Sequence, residues 1–192
     1  MRKEIFFTSV SLIDNPVKEA TAQAFRIAEE KGAIISFDPN VRLPLWDHPE
    51  TEKENIRRYF NRAHIVKVSE EELLLLTGVE EEQEAILTLF SGANKLVIVT
   101  KGSKGSSIYT AGSMFEVKVV KVDAQDTTGA GDAFVGGLWY FLQNESKRID
   151  LEVFLSNVTK VVEMGQFAGK CGAITTTRRR AIPALPTLNE VK

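Results

Sequence analysis

Four short apolar runs alternate with segments of helical character along the first hundred residues, and this alternation constrains the fold more than any other feature. The runs occupy residues 5–10, 33–37, 64–68 and 95–100. The last run is β-branched and apolar at nearly every position, which is typical of a strand that is buried on both faces. Strand–helix alternation of this kind predicts a parallel sheet with helices on both of its faces.

The first predicted helix has clear boundary signals. Asp14 is an N-cap candidate, Pro16 falls in the first turn, and Gly32 lies just past the expected end. Apolar side chains recur within it at helical spacing and predict its buried face. This predicted stripe consists of Ala20, Ala24, Ile27 and Ala28.

The rest of the chain extends the α/β pattern. Further helices are predicted at residues 50–63, 81–91, 129–143 and 151–167, and another begins after Ser69, with Glu72 at the capping-box spacing. Alternation at residues 107–109 and 114–119 predicts two antiparallel strands. Residues 172–188, rich in Thr, Arg and Pro, are predicted to form a loop. With no internal repeat or linker, residues 1–192 are interpreted as a single α/β domain with a mostly parallel sheet and an antiparallel edge.

Composition narrows the class of protein. The formal net charge is −2, so we expect no nucleic-acid partner, and the basic run at residues 178–180 is interpreted as a solvated loop. The chain has 1 cysteine, Cys171, which excludes an intramolecular disulfide and fits a cytoplasmic protein. No apolar run approaches the roughly 18 residues that span a bilayer, so we expect no membrane association through a transmembrane helix.

The heptapeptide DTTGAGD at residues 126–132 runs directly into a predicted helix and carries the strongest chemical signal. Thr128 is an N-cap candidate, and the amides of Gly129, Ala130 and Gly131 can face an anion at the helix N-terminus. Asp132 follows them and can accept the proton of an attacking hydroxyl. An anion site beside a base is what phosphoryl transfer to an alcohol requires. The alternative is a glycine-rich cap that only permits close packing.

This heptapeptide resembles the C-terminal signature of the ribokinase-like (PfkB) carbohydrate kinases. Residues 36–46 (SFDPNVRLPLW) and 171–186 (CGAITTTRRRAIPALP) resemble the fructokinase branch, and residues 68–73 and 99–102 fit the same order. The resemblance covers essentially the whole chain. It implies a ribokinase-like three-layer αβα fold and an ATP-dependent carbohydrate kinase that uses Mg²⁺ and K⁺.

The resemblance also implies roles for individual residues. Asp132 would be the catalytic base, and Gly129, Ala130 and Gly131 would form the anion hole. Metal roles fall to Glu72, which would act on Mg²⁺ through water, and to Asp126 and Thr128, beside a monovalent cation. ATP would contact Thr100, Lys101, Gly102, Gly105, Asn157, Gly172 and Ala173. The sugar and phosphates would meet at Asp38, Asn40 and Arg42.

Several of these residues have purely structural alternatives. Glu72 can simply complete the capping box with Ser69. Asp38 can be a turn residue at a strand end, and Asn157 can be an ordinary helix residue. For Trp46, packing is favoured over stacking on a sugar.

The family's other signature, a Gly-Gly and Asn element near the start of the chain, is absent here. The resemblance implies that this sequence corresponds to the C-terminal portion of a family member, without N-terminal strands, the lid and most sugar contacts. We expect the exposed sheet edge to cause association or homo-oligomerisation. The expected activity is phosphorylation of fructose. The alternatives are a nucleotide-binding chain without turnover, or a kinase for another ketose, a ribose-like sugar or a nucleoside.

Overall fold

The computed structural model describes residues 4–13, 16–45, 49–90, 92–146 and 150–192, and the chain forms two compact units. Unit 1 is Met1–Thr100 and unit 2 is Lys101–Lys192. Each unit is described separately below. The predicted cap at Asp14 and the predicted packing of Trp46 lie outside the described residues.

Unit 1 alternates strands and helices, as the apolar pattern predicts. Its strands are β1 (Glu4–Thr8), β2 (Ile34–Asp38), β3 (Ile65–Ser69) and β4 (Leu96–Thr100). Its helices are α1 (Pro16–Glu30), α2 (Pro49–Arg62), α3 (Glu70–Thr77) and α4 (Glu82–Leu89). Short 3₁₀ turns cover Ser9–Leu12 and Leu43–Leu45.

The four strands of unit 1 are parallel and pair in chain order. Residues 34–38 of β2 are buried throughout, and β3 and β4 are buried along their first four residues. The register sets Thr8 opposite Asp38 and Ser69 opposite Thr100, so the strand ends lie together at one edge. Parallel α/β sheets bind ligands at this carboxyl edge.

The first strand differs from its prediction in length and burial. β1 ends at Thr8, and the predicted strand residues Ser9 and Val10 belong to a 3₁₀ turn. Within β1 only Phe7 is buried, while Phe6 is 40% exposed. In the described part of unit 1, β1 pairs with β2 alone, so one of its edges and much of its surface stay open.

Helix α1 forms where predicted, but only Ala28 of the four residues in its predicted apolar stripe is buried. Its buried residues are Thr21, Phe25 and Ala28, whereas Ile27 is 43% exposed. The Phe25 ring stacks on Phe7 with centroids 5.0 Å apart and meets Tyr59 edge-on at 4.9 Å. The face of the helix is therefore set by one large aromatic residue with partners on other elements.

Unit 2 combines an antiparallel strand pair with helices. The strands are β5 (Ser106–Thr110) and β6 (Ser113–Val117), which pair antiparallel as predicted. Its longer helices are α5 (Ala130–Ser146) and α7 (Val158–Thr176). Shorter helices are α6 (Leu151–Leu155), α8 (Ala181–Ala184) and α9 (Leu188–Val191), and a 3₁₀ turn covers Gly102–Lys104.

Two predictions for unit 2 are wrong. The single helix predicted at residues 151–167 is two helices, because the chain breaks at Asn157, which caps α7 by accepting from the Lys160 amide at 3.2 Å. The loop predicted at 172–188 is largely helical, since α7 continues through Thr176 and α8 and α9 follow. Thr175 and Thr176 tolerate the helix because their hydroxyls donate to the carbonyls of Cys171 and Ala173.

Glycines let α5 and α7 approach closely. A Cβ added at Gly137 would lie 2.7 Å from Cys171 Sγ and 3.1 Å from Ala168 Cα. Gly165 lets α7 approach β5 and β6 closely. A Cβ added there would lie 2.5 Å from Ile108 Cδ1 and 3.1 Å from Val117 Cγ2. These glycines serve packing, while a Cβ at Gly136 would meet nothing within 4 Å.

We expect Gly137→Ala and Gly136→Ala to change stability in opposite directions. The first forces α5 away from α7 and should lower the free energy of unfolding by about 1–3 kcal/mol. The second only removes a poor helix former and should raise it by about 0.5–1 kcal/mol. Urea denaturation followed by circular dichroism measures both values. Midpoints that move in the same direction would contradict the packing described for Gly137.

Candidate functional site

The carboxyl edge of unit 1 holds a buried ion pair. Asp38, the last residue of β2, and Lys67, on β3, have side chains only 3% and 10% exposed. The Lys67 ammonium lies 3.3 and 3.4 Å from the two Asp38 carboxylate oxygens. The pKa of Asp38 is raised to about 6, chiefly by burial and to a lesser extent by the Glu72 carboxylate, against the lowering effect of the Lys67 charge.

Two carboxylates hold the chain that follows β2. Asp38 Oδ1 accepts from the Asn40 amide at 3.1 Å, and Asn40 has a left-handed φ of 41°. Glu72 Oε1 accepts from the Val41 amide at 2.7 Å, and its Oε2 accepts from the Ser69 amide at 2.9 Å. The turn and the strand end are thereby tied to the start of α3.

The capping box predicted from Ser69 and Glu72 is confirmed. The Glu72 amide donates to Ser69 Oγ at 3.2 Å, which completes the reciprocal pair. Glu72 does more than cap, because its second oxygen binds the Val41 amide on the neighbouring strand end. Its role near Mg²⁺ stays a prediction.

The other predicted residues of unit 1 lie at the same edge. Arg42 is exposed, and its side chain has no hydrogen-bond or ion-pair partner among the residues the structure describes. Thr100 ends β4, opposite Ser69, and its hydroxyl donates to the Val68 carbonyl at 3.4 Å. The edge therefore brings Asp38, Asn40, Glu72 and Thr100 onto adjoining strand ends, with Arg42 just beyond.

Two polar residues at this edge, Lys67 and Ser9, were not predicted from the sequence. Lys67 carries a charge inside a strand that is otherwise buried and apolar, and such a charge requires a buried partner. A lysine inside an apolar strand therefore predicts a buried ion pair, and this signal was present in the sequence. Ser9 is fully buried, and its hydroxyl has no partner in the described part of the chain, although its amide donates to the Pro39 carbonyl at 3.2 Å. A serine after a strand carries no comparable sequence signal.

In unit 2 the heptapeptide forms a turn at the mouth of α5. Asp126 Oδ1 accepts from the Thr128 amide at 2.9 Å, an Asx turn, and the Gly129 carbonyl accepts the first helical bond from the Ala133 amide at 2.9 Å. Gly129 therefore occupies the position predicted for Thr128 at the start of the helix. Gly129 has φ 81°, and an added Cβ would lie 2.9 Å from Ala181 Cβ.

Among the amides of residues 129–132, one is bonded and three are open. The Ala130 amide donates to the Thr127 carbonyl at 3.2 Å. Gly129, Gly131 and Asp132 have amides with no partner among the described residues. The Asp132 side chain is exposed and equally without a partner in that part of the chain. An anion at this helix mouth would thus meet three donors, and a carboxylate lies in the same turn.

Asp126 joins the turn to the segment after α7. Its Oδ2 accepts from the Arg180 amide at 3.2 Å, and the Thr176 carbonyl accepts from the Gln125 and Asp126 amides. Hydrogen bonds from Thr128 and Arg180, with the nearby Arg179 charge, hold the pKa of Asp126 below its usual value. Arg180 itself has a left-handed φ of 74°. Asp126 therefore remains an anionic group at the helix mouth.

The predicted phosphate-binding turn at residues 101–105 is tightly closed. The Lys101 amide donates to the Gly105 carbonyl at 2.8 Å, and Gly102 has φ 54°. Gly105 has φ 101°, and a Cβ there would lie 2.1 Å from the Val117 carbonyl oxygen. The Lys101 ammonium lies 3.3 Å from Glu116, so its charge is partly offset within unit 2.

The structure separates two residues that were predicted to border adenine. Asn157 caps the start of α7, while Gly172 lies 15 residues later on the same helix, about 22 Å along its axis. One adenine ring cannot contact both. Gly172 lies at the mouth of α5, because an added Cβ would be 3.1 Å from the Ala130 carbonyl oxygen. Gly172 and Ala173 are both buried.

Two kinds of feature are absent from the described ranges. No group of three or more His, Cys, Asp or Glu side chains there could hold a metal ion. Within the same ranges, no helix has the length and apolar character needed to cross a bilayer.

Comparison with known proteins identifies a family. The sequence profile described as pfkB family carbohydrate kinase matches residues 3–188. A relative named probable fructokinase-4 of Arabidopsis thaliana is 42% identical over 191 residues, which is 99% of this chain and 57% of that protein.

Solved structures agree with the family and with the fold. Fructokinase from Vibrio cholerae O395, with fructose, ADP and calcium bound, matches with a TM-score of 0.89 at 35% identity. The match covers 100% of this chain and 60% of that chain. Aminoimidazole riboside kinase from Salmonella enterica, with its riboside and an ATP analogue, matches with a TM-score of 0.82 at 32% identity, over 99% and 62%. The predicted ribokinase-like α/β fold is confirmed, and the chain spans somewhat over half the length of these relatives.

Proposed function

This chain belongs to the pfkB family of carbohydrate kinases, and we propose that it takes part in ATP-dependent phosphorylation of a sugar hydroxyl, with fructose as the substrate. The observation that carries the proposal is the mouth of α5. Three open amides, of Gly129, Gly131 and Asp132, lie there within one turn of an unpartnered carboxylate in the described part of the chain.

The proposed chemistry assigns the turn two tasks. Negative charge that develops on the transferred phosphoryl group would be stabilised by the open amides and by the positive end of the helix dipole. The Asp132 carboxylate would accept the proton of the attacking sugar hydroxyl. Ala130 would contribute less than predicted, because its amide already donates to the Thr127 carbonyl.

The nucleotide would be held by backbone groups and by the positive charge of Lys101. We assign Thr100, Lys101, Gly102 and Gly105 to the ATP phosphates. We assign Gly172 and Ala173 to the adenine side, and we assign Asn157 to the N-cap of α7 instead.

Two cations complete the proposal. Mg²⁺, held through water by Glu72, would offset phosphate charge. The Glu72 oxygens each accept one amide, and each has a second lone pair that can accept from a bound water. Asp126 and Thr128 would lie beside K⁺, a role that the anionic character of Asp126 supports.

We assign Asp38, Asn40 and Arg42, at the carboxyl edge of unit 1, to the place where the sugar meets the phosphates. Fructose is favoured because the Arabidopsis relative is named a probable fructokinase and the Vibrio fructokinase structure contains fructose. The Salmonella structure keeps a ribose-like or nucleoside substrate as a second candidate. A third candidate is nucleotide binding without turnover, because the chain covers only 57% of the Arabidopsis relative. A cytoplasmic location stays a prediction.

The proposal is tested by calorimetry with ATP and by a coupled assay of ADP release. We expect ATP binding that requires Mg²⁺, and ADP release that depends on fructose. Ribose and a nucleoside, offered under the same conditions, separate the substrate candidates. Binding without turnover on any sugar would support the third candidate and refute the kinase proposal for this chain.

We further propose that the chain associates through β1. Among the described strands, β1 is the last of the sheet and pairs with β2; Phe6 on β1 and Val10 just after it are 40% and 36% exposed. An open edge with apolar side chains favours pairing with another strand. Light scattering at micromolar concentration should show oligomers, and Phe6→Lys should reduce them. A stable monomer of the parent chain would rule this out.

A further inference from the structure

Lys67 is a buried charge to which the proposed function gives no role. It lies in the middle of β3, between Val66 and Val68, both of which are fully buried. A strand buried on both faces normally carries aliphatic residues, and an ammonium group there loses its hydration. Packing alone would be served as well by methionine or isoleucine, so the charge itself needs an explanation.

Among the described residues, the polar partners of the Lys67–Asp38 pair lie at the strand end. Lys67 Nζ contacts both Asp38 oxygens, at 3.4 and 3.3 Å, so it opposes rotation of the carboxylate. The other charge that acts on Asp38 is Glu72, and its effect is repulsive. Without Lys67, the Asp38 carboxylate would be buried beside a like charge and would tend to turn away or become protonated.

Asp38 in turn shapes the chain that follows it. Its Oδ1 holds the Asn40 amide, and this bond closes a turn in which Asn40 is left-handed. The next amide, of Val41, is held separately by Glu72. Arg42 follows and is exposed, with a side chain unpartnered among the described residues.

We propose that Lys67 is a positioning residue, whose ammonium holds the Asp38 carboxylate in the orientation that closes the turn at Asn40 and thereby directs Arg42 toward an anionic group. The geometry stands on the hydrogen bonds above. The identity of that anionic group as a phosphate in the kinase reaction rests on the proposed function.

The first test is amide hydrogen exchange in the whole chain, measured by NMR for the parent and for Lys67→Met. We expect the Asn40 amide to exchange at least about tenfold faster in the variant, beyond any global loss of stability. The amides of Val41 and Ser69, which Glu72 holds, should follow the global change only. Ile56→Ala, a buried change on α2, is the control and should accelerate all of these amides together.

Equal acceleration at Asn40, Val41 and Ser69 in Lys67→Met would show that the pair is merely structural, and would overturn the inference. Lys67→Gln guards against failure to fold, because its amide can still donate to Asp38. It should give the same selective change at Asn40 with a smaller amplitude. No selective change in any folded Lys67 variant would also overturn the inference.

A kinetic test separates this inference from the proposed function. If the parent phosphorylates fructose, Lys67→Met should lower kcat/KM by about 10²-fold, the order of loss expected when a substrate-binding group is displaced by about 1 Å. Ile56→Ala, assayed well below its melting temperature, should not. An equal effect of the two variants on kcat/KM would overturn the role in catalysis. If the parent shows no turnover, the proposed function fails, and the exchange measurements still decide whether Lys67 positions the turn.

Discussion

Asp132→Asn should lower the rate of fructose phosphorylation by about 10²–10⁴-fold, the range expected when a general base is removed. Asparagine keeps the size and the backbone amide of the residue, but it cannot accept the hydroxyl proton. The Asp132 side chain has no partner among the described residues, so the substitution breaks no hydrogen bond there. ATP affinity should therefore remain close to that of the parent. Initial rates in a coupled ADP assay, with ATP binding by calorimetry, measure both quantities.

The control for this experiment is Asp123→Asn. Asp123 precedes the heptapeptide, is exposed, and has no bonded partner in the described part of the chain. The same loss of charge at Asp123 should leave turnover unchanged. If Asp132→Asn kept the parent rate, or if both variants slowed the reaction equally, Asp132 would not be the base.

Phe25→Ala should lower the free energy of unfolding by about 3–5 kcal/mol, as expected for loss of a fully buried aromatic side chain. Phe25 is 0% exposed and packs between Phe7 and Tyr59. The Arg62 guanidinium also lies 4.7 Å from the centre of its ring. Truncation leaves a cavity bounded by side chains from several elements. It also removes one contact of Arg62, which still lies over the Tyr59 ring and pairs with Glu29. Urea denaturation, extrapolated to water, measures the loss.

Ile27→Ala is the matched control on the same helix. Because Ile27 is 43% exposed and alanine is the better helix former, the free energy of unfolding should change by less than about 0.5 kcal/mol. If α1 buried the apolar stripe predicted from the sequence, Ile27→Ala would lower the free energy of unfolding more than Phe25→Ala. A larger loss for Ile27→Ala would therefore show that α1 buries that stripe and not the Phe25 face.

Features that depend on near neighbours in the chain were predictable. The capping box of Ser69 and Glu72 spans three residues, and both of its hydrogen bonds form. Gly32, at φ 61°, ends the first helix as expected. The antiparallel pair in unit 2 also forms as predicted, between strands that are separated by only two residues. In each case the interacting groups are close in sequence, so residue type and spacing are sufficient.

The failures share a different cause. The buried face of α1 is selected by Phe7 and Tyr59, which belong to other elements. Apart from Ala173, residues 172–176 are weak helix formers in isolation. They nevertheless extend α7, where Gly172 lies against the Ala130 carbonyl. Asn157 and Gly172 both fit an adenine-binding role in sequence, but the length of α7 keeps them apart. Each outcome depends on contacts between segments that sequence periodicity does not report.

By itself, the sequence determined the α/β class, the order of the strands and helices, and the turn that ends in Asp132. These properties follow from periodicity, capping and glycine positions, which act over a few residues. Only the tertiary structure decided which amides at the helix mouth are open, which face of α1 is buried, and that Lys67 is the partner of Asp38. The physical reason is that each of these outcomes depends on groups that are far apart in the sequence. Only folding brings those groups within contact distance.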